Sequence, residues 1–227
     1  MAGEPPIDDA SRFGDVETWV FDMDNTLYPA GLGLMQQINA RIAEFIMREL
    51  GVDRARAQDV RNRYYRRYGI TLTGLARHHG VLPERFLNEV HDIDLSALRP
   101  DPALQQALAR LGAMPGRRLV VHTNAARVHA DRVLSQAGLA GAFDAVYAIE
   151  DKDFTPKPRP EAYMRVIDAA AFAPTRAAMI EDTLANLKAP KDLGMGTVWL
   201  TGETRQAADA HVDRRIDALA PFLAALT

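Results

Sequence analysis

"WVFDMDNTLYP", Trp19 to Pro29, decides how the rest of the chain is read. Trp19-Val20-Phe21 is a short apolar run of the kind that ends a buried strand. It stops at Asp22 and Asp24, two carboxylates one residue apart, and then at Asn25-Thr26. Taken alone, an aspartate after a strand is ordinarily a turn residue or a helix cap. Two of them at one strand end lie close enough to share a ligand.

Outward from this stretch, short β-rich runs recur at Leu119–Val121, Phe143–Ile149, Ala178–Ile180 and Thr197–Leu200. Most are followed by helical pattern. After Leu119–Val121, residues Ala130, Val133, Leu134 and Ala137 keep the i, i+3, i+4, i+7 spacing, with Gly138 as a C-terminal cap. Strands alternating with helices predict an α/β fold, a doubly wound parallel sheet with a Rossmann-like core.

The long interval between Phe21 and Leu119 breaks the alternation. Leu34, Ile38, Ile42, Phe45 and Ile46 mark one helical face closed by Leu50-Gly51, and helical pattern continues through Arg54–Tyr68 and Pro83–Val90. Asp101-Pro102 reads as an N-cap and first helical residue, backed by Leu104, Leu108 and Leu111. A structureless loop of this length is implausible in a folded domain. The expected organisation is therefore a core of residues 1–31 and 99–227, with an all-helical subdomain, 32–98, inserted after the first strand. Residues 1–15, polar and rich in Pro and Gly, are expected to form a loose arm.

Composition narrows the function classes. The 227 residues are 48% hydrophobic and 25% charged, enough for a sizeable core. A net charge of −3 carries no polyanion footprint, which argues against a nucleic-acid polymer as partner. There is no cysteine, so disulfides and thiolate metal sites are excluded. Neither a signal-like opening nor a membrane-length apolar stretch is visible, so the expectation is a cytoplasmic globular protein, monomer or homodimer.

In doubly wound sheets ligands bind beyond the carboxyl ends of the strands. Here those ends carry Asp22, Asp24 and Thr26, then Thr123-Asn124, then Glu181-Asp182, with Lys157 in a Thr-Pro-Lys-Pro loop beyond Ile149. Each cluster has an ordinary explanation as a turn or cap; together they line one edge with acids, a lysine and hydroxyl or amide donors. A carboxylate nucleophile approaching a phosphate meets like charge, about 4 kcal/mol per unit pair at ~4 Å and an effective dielectric near 20. A divalent cation held by carboxylates reverses that sign, and a lysine neutralises more of the phosphoryl charge. Oxygen-only donors suit Mg²⁺.

These four clusters, in this order, resemble the motifs of the haloacid dehalogenase-like superfamily: Asp-x-Asp-x-Thr at Asp22–Thr26, Thr123-Asn124, Lys157, and Glu181-Asp182. The resemblance runs from about Trp19 to Leu200, and the helical insert resembles the family's type-1 cap. "YYRRYGITLTGL" (Tyr64–Leu75), "VHDIDLSALRPDP" (Val90–Pro102), "TNAARVHADRVL" (Thr123–Leu134) and "EDTLANLKAPKDLGMGTV" (Glu181–Val198) are similar to the pyrimidine 5′-nucleotidase-like subgroup. The fourth motif has Glu-Asp where many members have Asp-Asp, and Pro190 falls where helix interior is expected, so the helix is read as restarting there.

The resemblance implies an enzyme, a phosphoric monoester hydrolase. Asp22 would be the nucleophile and form an aspartyl-phosphate. Asp24 would protonate the leaving oxygen and then deprotonate water. Mg²⁺ would be held by Asp22, the Asp24 backbone carbonyl and Asp182, with Glu181 supporting through water. Thr123, Asn124 and Lys157 would grip the phosphoryl oxygens. The implied substrate is a small phosphate monoester, in the first instance a pyrimidine nucleoside 5′-monophosphate such as UMP or CMP. The alternatives are a sugar phosphate or pyridoxal phosphate, mutase chemistry on a phosphosugar, 2-haloacid dehalogenation, or a non-enzymatic phosphate-binding domain. In the insert, Tyr68 and Arg67 are the expected substrate residues, with Gly69 and Gly74 letting the segment bend toward them. His129 reads as a packing or surface histidine, and the adjacent His78-His79 lack a third ligand for a metal site.

Overall fold

A computed structural model describes residues 13–202 and 209–227. Its six strands, β1 (Thr18–Phe21), β2 (Arg118–His122), β3 (Ala145–Tyr147), β4 (Ala177–Glu181), β5 (Gly196–Leu200) and β6 (Arg214–Ile216), form one sheet in the order β3-β2-β1-β4-β5-β6. Every neighbouring pair is parallel. Alternate residues enter different apolar clusters. Trp19, Phe21, Leu119, Val121, Ala178 and Ile180 pack on one face, and Val20, Val120, Met179 and Trp199 on the other. With both faces covered, the strands read as continuous apolar runs.

The chain moves outward from β1 to β2 and β3, then returns to place β4 on the other side of β1. That reversal opens a crevice at the carboxyl ends of β1 and β4, the usual place for a ligand in such sheets. Asp22 leaves β1 there, and Glu181 ends β4.

Four helices follow β1: α1 (Leu34–Leu50), α2 (Arg54–Tyr68), α3 (Thr71–His79) and α4 (Pro83–Val90). Leu34, Ile38, Phe45 and Ile46 are buried on α1, as their spacing predicts, and Gly51 ends it in the left-handed conformation at φ 63. The Asp53 side chain caps α2 by accepting from the Arg56 amide. The four helices share an apolar cluster that includes Phe45, Val60, Tyr64, Leu75 and Phe86 and reaches Ala126 and Ile149 beside the sheet. Gly74 is a correction to the sequence reading. It lies inside α3, not in a bending loop, and a Cβ there would sit 2.2 Å from the Tyr64 ring, so the α2–α3 approach depends on glycine. Gly69 does end α2 with φ +86, and a Cβ there would lie 3.3 Å from the Lys157 carbonyl.

Five helices complete the described residues: α5 (Pro102–Ala113), α6 (Arg127–Gln136), α7 (Pro160–Ala170), α8 (Lys188–Asp192) and α9 (Leu219–Ala225). Asp101 caps α5 by accepting from Ala103 and Leu104, with Pro102 in the first turn. Gly138, at φ +67, follows the C-cap of α6. The helix expected to restart at Pro190 begins two residues earlier, at Lys188. Pro190 is the third residue of α8, where an amide has no intrahelical partner to lose. Of the expected arm, residues 1–12 lie outside the described residues, but Phe13 is 3% exposed and packs on Trp19 and Phe222. Among the described residues no helix is long and apolar enough to cross a membrane.

Candidate active site

The loop after β1 places its carboxylates through backbone bonds. The Asp22 amide donates to the Ile180 carbonyl, continuing the β1–β4 ladder one residue past the strand. Asp22 is 5% exposed. Its Oδ1 accepts from Lys157 Nζ at 2.5 Å and its Oδ2 from the Thr26 hydroxyl at 3.1 Å. Lys157 Nζ also donates to Glu181 Oε2 at 2.7 Å, while Glu181 Oε1 accepts from the Thr183 amide. Asp182 sits beside them, its backbone carbonyl bonded by Trp199 Nε1 at 2.9 Å. Asp22, Glu181 and Asp182 each offer a carboxylate oxygen, all within 4.8 Å of one another.

Three carboxylates against one ammonium leave the cluster short of positive charge. Burial pushes the Asp22 carboxyl up to about 7, with Glu181 adding to the rise and Lys157 opposing it. Burial likewise pushes Glu181 up to about 7 against the pull of Lys157, and raises Asp182 above the ordinary carboxylate range. Lys157 is buried too, yet Asp22 and Glu181 outweigh that cost and raise its pKa, so it stays charged.

Asp24 differs. Tyr28 donates to its Oδ1 at 2.6 Å, and His129 Nε2 lies 3.7 Å from the same oxygen. Burial favours its neutral form, but His129 and Tyr28 win and hold it below the ordinary carboxylate range. The two aspartates therefore have their pKa values driven in opposite directions.

The remaining expected residues fall into two groups. Lys157 is in place because Asn124 grips its backbone, donating to the Lys157 carbonyl at 3.1 Å and accepting from its amide at 2.9 Å. The Asn124 side chain thus positions the lysine, and it also lines the cavity, with the second N–H of its amide left over. Thr123 is fully buried and its hydroxyl accepts from the Ala125 amide. A second lysine that the sequence did not single out, Lys152, donates to the Thr123 carbonyl; burial and then Lys157 hold its pKa far below the usual lysine value.

A cavity of about 430 Å³ opens over the cluster. Its floor is charged: Asp22, Asp24, Lys157, Glu181 and Asp182. Its wall comes from α1–α4 and the turns joining them, including Met35, Asn39, Arg61, Tyr65, Thr71 and His91. Tyr68 and Arg67 are not among the lining residues. Tyr68 is 6% exposed, its hydroxyl bonded to His78 Nε2 at 2.6 Å, and the Arg67 guanidinium lies over the outside of its ring. His79 meets the Tyr64 hydroxyl in the same way, at 2.7 Å, which accounts for the histidine pair. One face further round α2, Arg61 and Tyr65 occupy the place expected for Arg67 and Tyr68. Tyr65 is 57% exposed at the cavity mouth. His129, read as packing, is fully buried against Asp24.

Comparison with known proteins follows the same lines. The haloacid dehalogenase-like hydrolase family profile matches residues 16–194. Phosphate metabolism protein 8 of Saccharomyces cerevisiae is 27% identical over 196 residues, covering 80% of this chain and 60% of that protein, so the chain spans well under its full length. Among solved structures, a haloacid dehalogenase-like phosphatase from Thermococcus onnurineus has TM-score 0.60 at 18% identity, covering 89% of this chain and 94% of that one. L-2-haloacid dehalogenase from Xanthobacter autotrophicus has TM-score 0.58 at 17% identity, covering 92% and 97%. At these identities the structural likeness speaks to the fold.

Proposed function

The chain belongs to the haloacid dehalogenase-like hydrolases, and from that membership we propose that it is a Mg²⁺-dependent phosphatase of small phosphate monoesters working through Asp22. The observation that carries this reading is Asp24 lining the cavity beside Asp22 with Oδ2 free of hydrogen bonds from the described residues. A halide departs without a proton, whereas an alkoxide expelled from phosphorus needs one. A second carboxylate placed at the reacting end is therefore redundant for dehalogenation and useful for ester hydrolysis.

The donor set fits a hard cation: oxygen donors within 4.8 Å, Asp22 and Glu181 buried and Asp182 half-buried, carrying more negative charge than Lys157 offsets. Asp22, the Asp24 carbonyl and Asp182 would hold it; Glu181 has both oxygens engaged by Lys157 and Thr183 and supports from behind. Bound there, Mg²⁺ supplies charge that offsets repulsion between the Asp22 carboxylate and the phosphoryl group.

In the first half-reaction an Asp22 oxygen bonds to phosphorus as the ester P–O bond breaks, and Asp24 passes a proton to the departing oxygen. In the second, Asp24 takes a proton from water, whose oxygen attacks phosphorus and frees Asp22 and phosphate. Asp24 is a carboxylate in the resting site, the form needed for the second step. An anionic phosphoryl group beside it raises its pKa toward the form needed for the first. Lys157 and Thr26 fix the Asp22 rotamer, and the Thr123 hydroxyl keeps its own proton free to donate.

For the substrate we propose a pyrimidine nucleoside 5′-monophosphate. The wall combines apolar surface with Asn39, Thr71, Arg61 and the exposed ring of Tyr65, a set suited to a flat, carbonyl-bearing base. Stacking one base on an aromatic ring is worth about 1–3 kcal/mol. Tyr65→Ala is thus expected to lower kcat/KM for UMP by about 5- to 150-fold while sparing a minimal phosphate ester. Tyr68→Ala, by contrast, should lower thermal stability and affect both substrates alike. Equal losses from Tyr65→Ala on the two substrates would remove the stacking role.

Phosphate release across nucleoside monophosphates, sugar phosphates and pyridoxal phosphate tests the whole reading. Release should vanish in chelator and return with Mg²⁺. Chloride release from a 2-haloacid that survives chelation, with no phosphate release from any ester, would reverse the assignment.

A further inference from the structure

His129 is a fully buried imidazole, and neither ring nitrogen has a hydrogen-bond partner. Leaving such a group unpaired costs free energy, so its place wants a reason. Its Nε2 points at Asp24 Oδ1 from 3.7 Å, about 0.5 Å beyond a normal N–H···O bond. The same oxygen is already held by the Tyr28 hydroxyl from another side. Oδ1 is thus bracketed, and Oδ2 is the oxygen left for a ligand.

The imidazole is itself held in position. It lies in the first turn of α6, whose leading amide, Arg127, donates to both Glu150 carboxylate oxygens at 3.1 Å. On its other face His91 stacks, with ring centroids 4.6 Å apart and planes at 22°. His91 follows α4 and lines the cavity. Its Nδ1 faces the Leu87 carbonyl at 3.0 Å; a carbonyl only accepts, so Nδ1 carries the proton. Arg132 of α6 donates to the carbonyls of His91 and Ile93, tying the end of α4 to α6.

We propose that His129 is a positioning residue for Asp24, turning Oδ2 toward the leaving oxygen of the substrate, and that His91 backs it from the insert, linking the wall over the site to the orientation of the acid. This rests on the phosphatase reading, with Asp24 as the proton donor. It assigns His129 no contact with substrate.

The test compares kcat/KM, which reports formation of the aspartyl-phosphate, on benzyl phosphate and 4-nitrophenyl phosphate in Mg²⁺. The two esters have similar bulk, but one expels an alkoxide that needs a proton and the other a phenolate that does not. General acid catalysis is worth about 10²–10⁴-fold. His129→Leu, which keeps volume and loses the donor, should cost about 10- to 100-fold on benzyl phosphate and under about 3-fold on 4-nitrophenyl phosphate. His129→Gln, whose amide can donate, should recover most of the benzyl ester rate. If His129→Leu fails to fold, the half-buried His91→Ala should give the same skew in smaller degree. Equal losses on both esters, or no loss, overturn the positioning role alone. A wild-type protein that hydrolyses neither ester overturns the phosphatase reading and this assignment with it.

Discussion

Asp22→Asn is expected to reduce phosphate release by about 10⁴-fold or more, because the amide cannot form the covalent bond on which both half-reactions depend. The fold should survive. Burial raises the Asp22 carboxyl from its ordinary value of 3.8 to about 7. For an acid raised in the folded state, the sign is a penalty: it sets in as pH rises through the unfolded value and is complete above the folded one. An uncharged Asn escapes it. In chelator at pH 8 the variant should therefore melt no lower than wild type, while at pH 4 the two should converge. Near-normal phosphate release from folded Asp22→Asn would end the covalent mechanism. A collapse in melting temperature at pH 8 would instead make Asp22 a structural anchor.

Lys157→Met should abolish turnover and also destabilise the protein. Removing one partner from a buried charge cluster costs about 3–5 kcal/mol, since the other charges stay buried without compensation. Lys157 holds two carboxylates, Asp22 at 2.5 Å and Glu181 at 2.7 Å. Its own raised pKa means that the stabilisation it gives is fully present below the ordinary lysine pKa, across the accessible range. The pH dependence of the variant comes from the carboxylates, which can protonate at pH 5 and resist it at pH 8. The loss of melting temperature measured in chelator should be larger at pH 8, and Mg²⁺ should return part of it. An equal loss at both pH values, unaffected by Mg²⁺, would assign Lys157 to packing.

Much of this arrangement is legible in the chain because the signals are local. Apolar runs stop at acids, Asp101-Pro102 starts a helix as it should, and Gly51 and Gly138 sit where helices end. Others were not legible for definite reasons. Arg214–Ile216 is an edge strand carrying two arginines, and only Ile216 is buried, so no apolar run announces it. On α2, the pairs Arg61/Tyr65 and Tyr64/Tyr68 each share a face, and periodicity does not say which face meets the neighbouring helix. Gly74 on α3 settles that by admitting Tyr64, which turns Tyr65 outward to the cavity mouth. His129 looked ordinary because its significance depends on His91, thirty-eight residues earlier, arriving from a different part of the fold.

The division of the cavity between floor and wall bears on how such a site can change over generations. The charged floor is gathered from three places far apart in sequence, and almost any substitution there strikes the reaction itself. The wall from Met35 to His91 is one uninterrupted stretch of gene. Recombination can exchange that stretch in a single event, and point changes within it fall on the surface that meets the variable part of the substrate. A lineage can therefore explore new substrates while inheriting its chemistry unchanged. The boundary that limits such an exchange is the face where the wall meets the floor, at Gly69 against the Lys157 carbonyl and at His91 against His129.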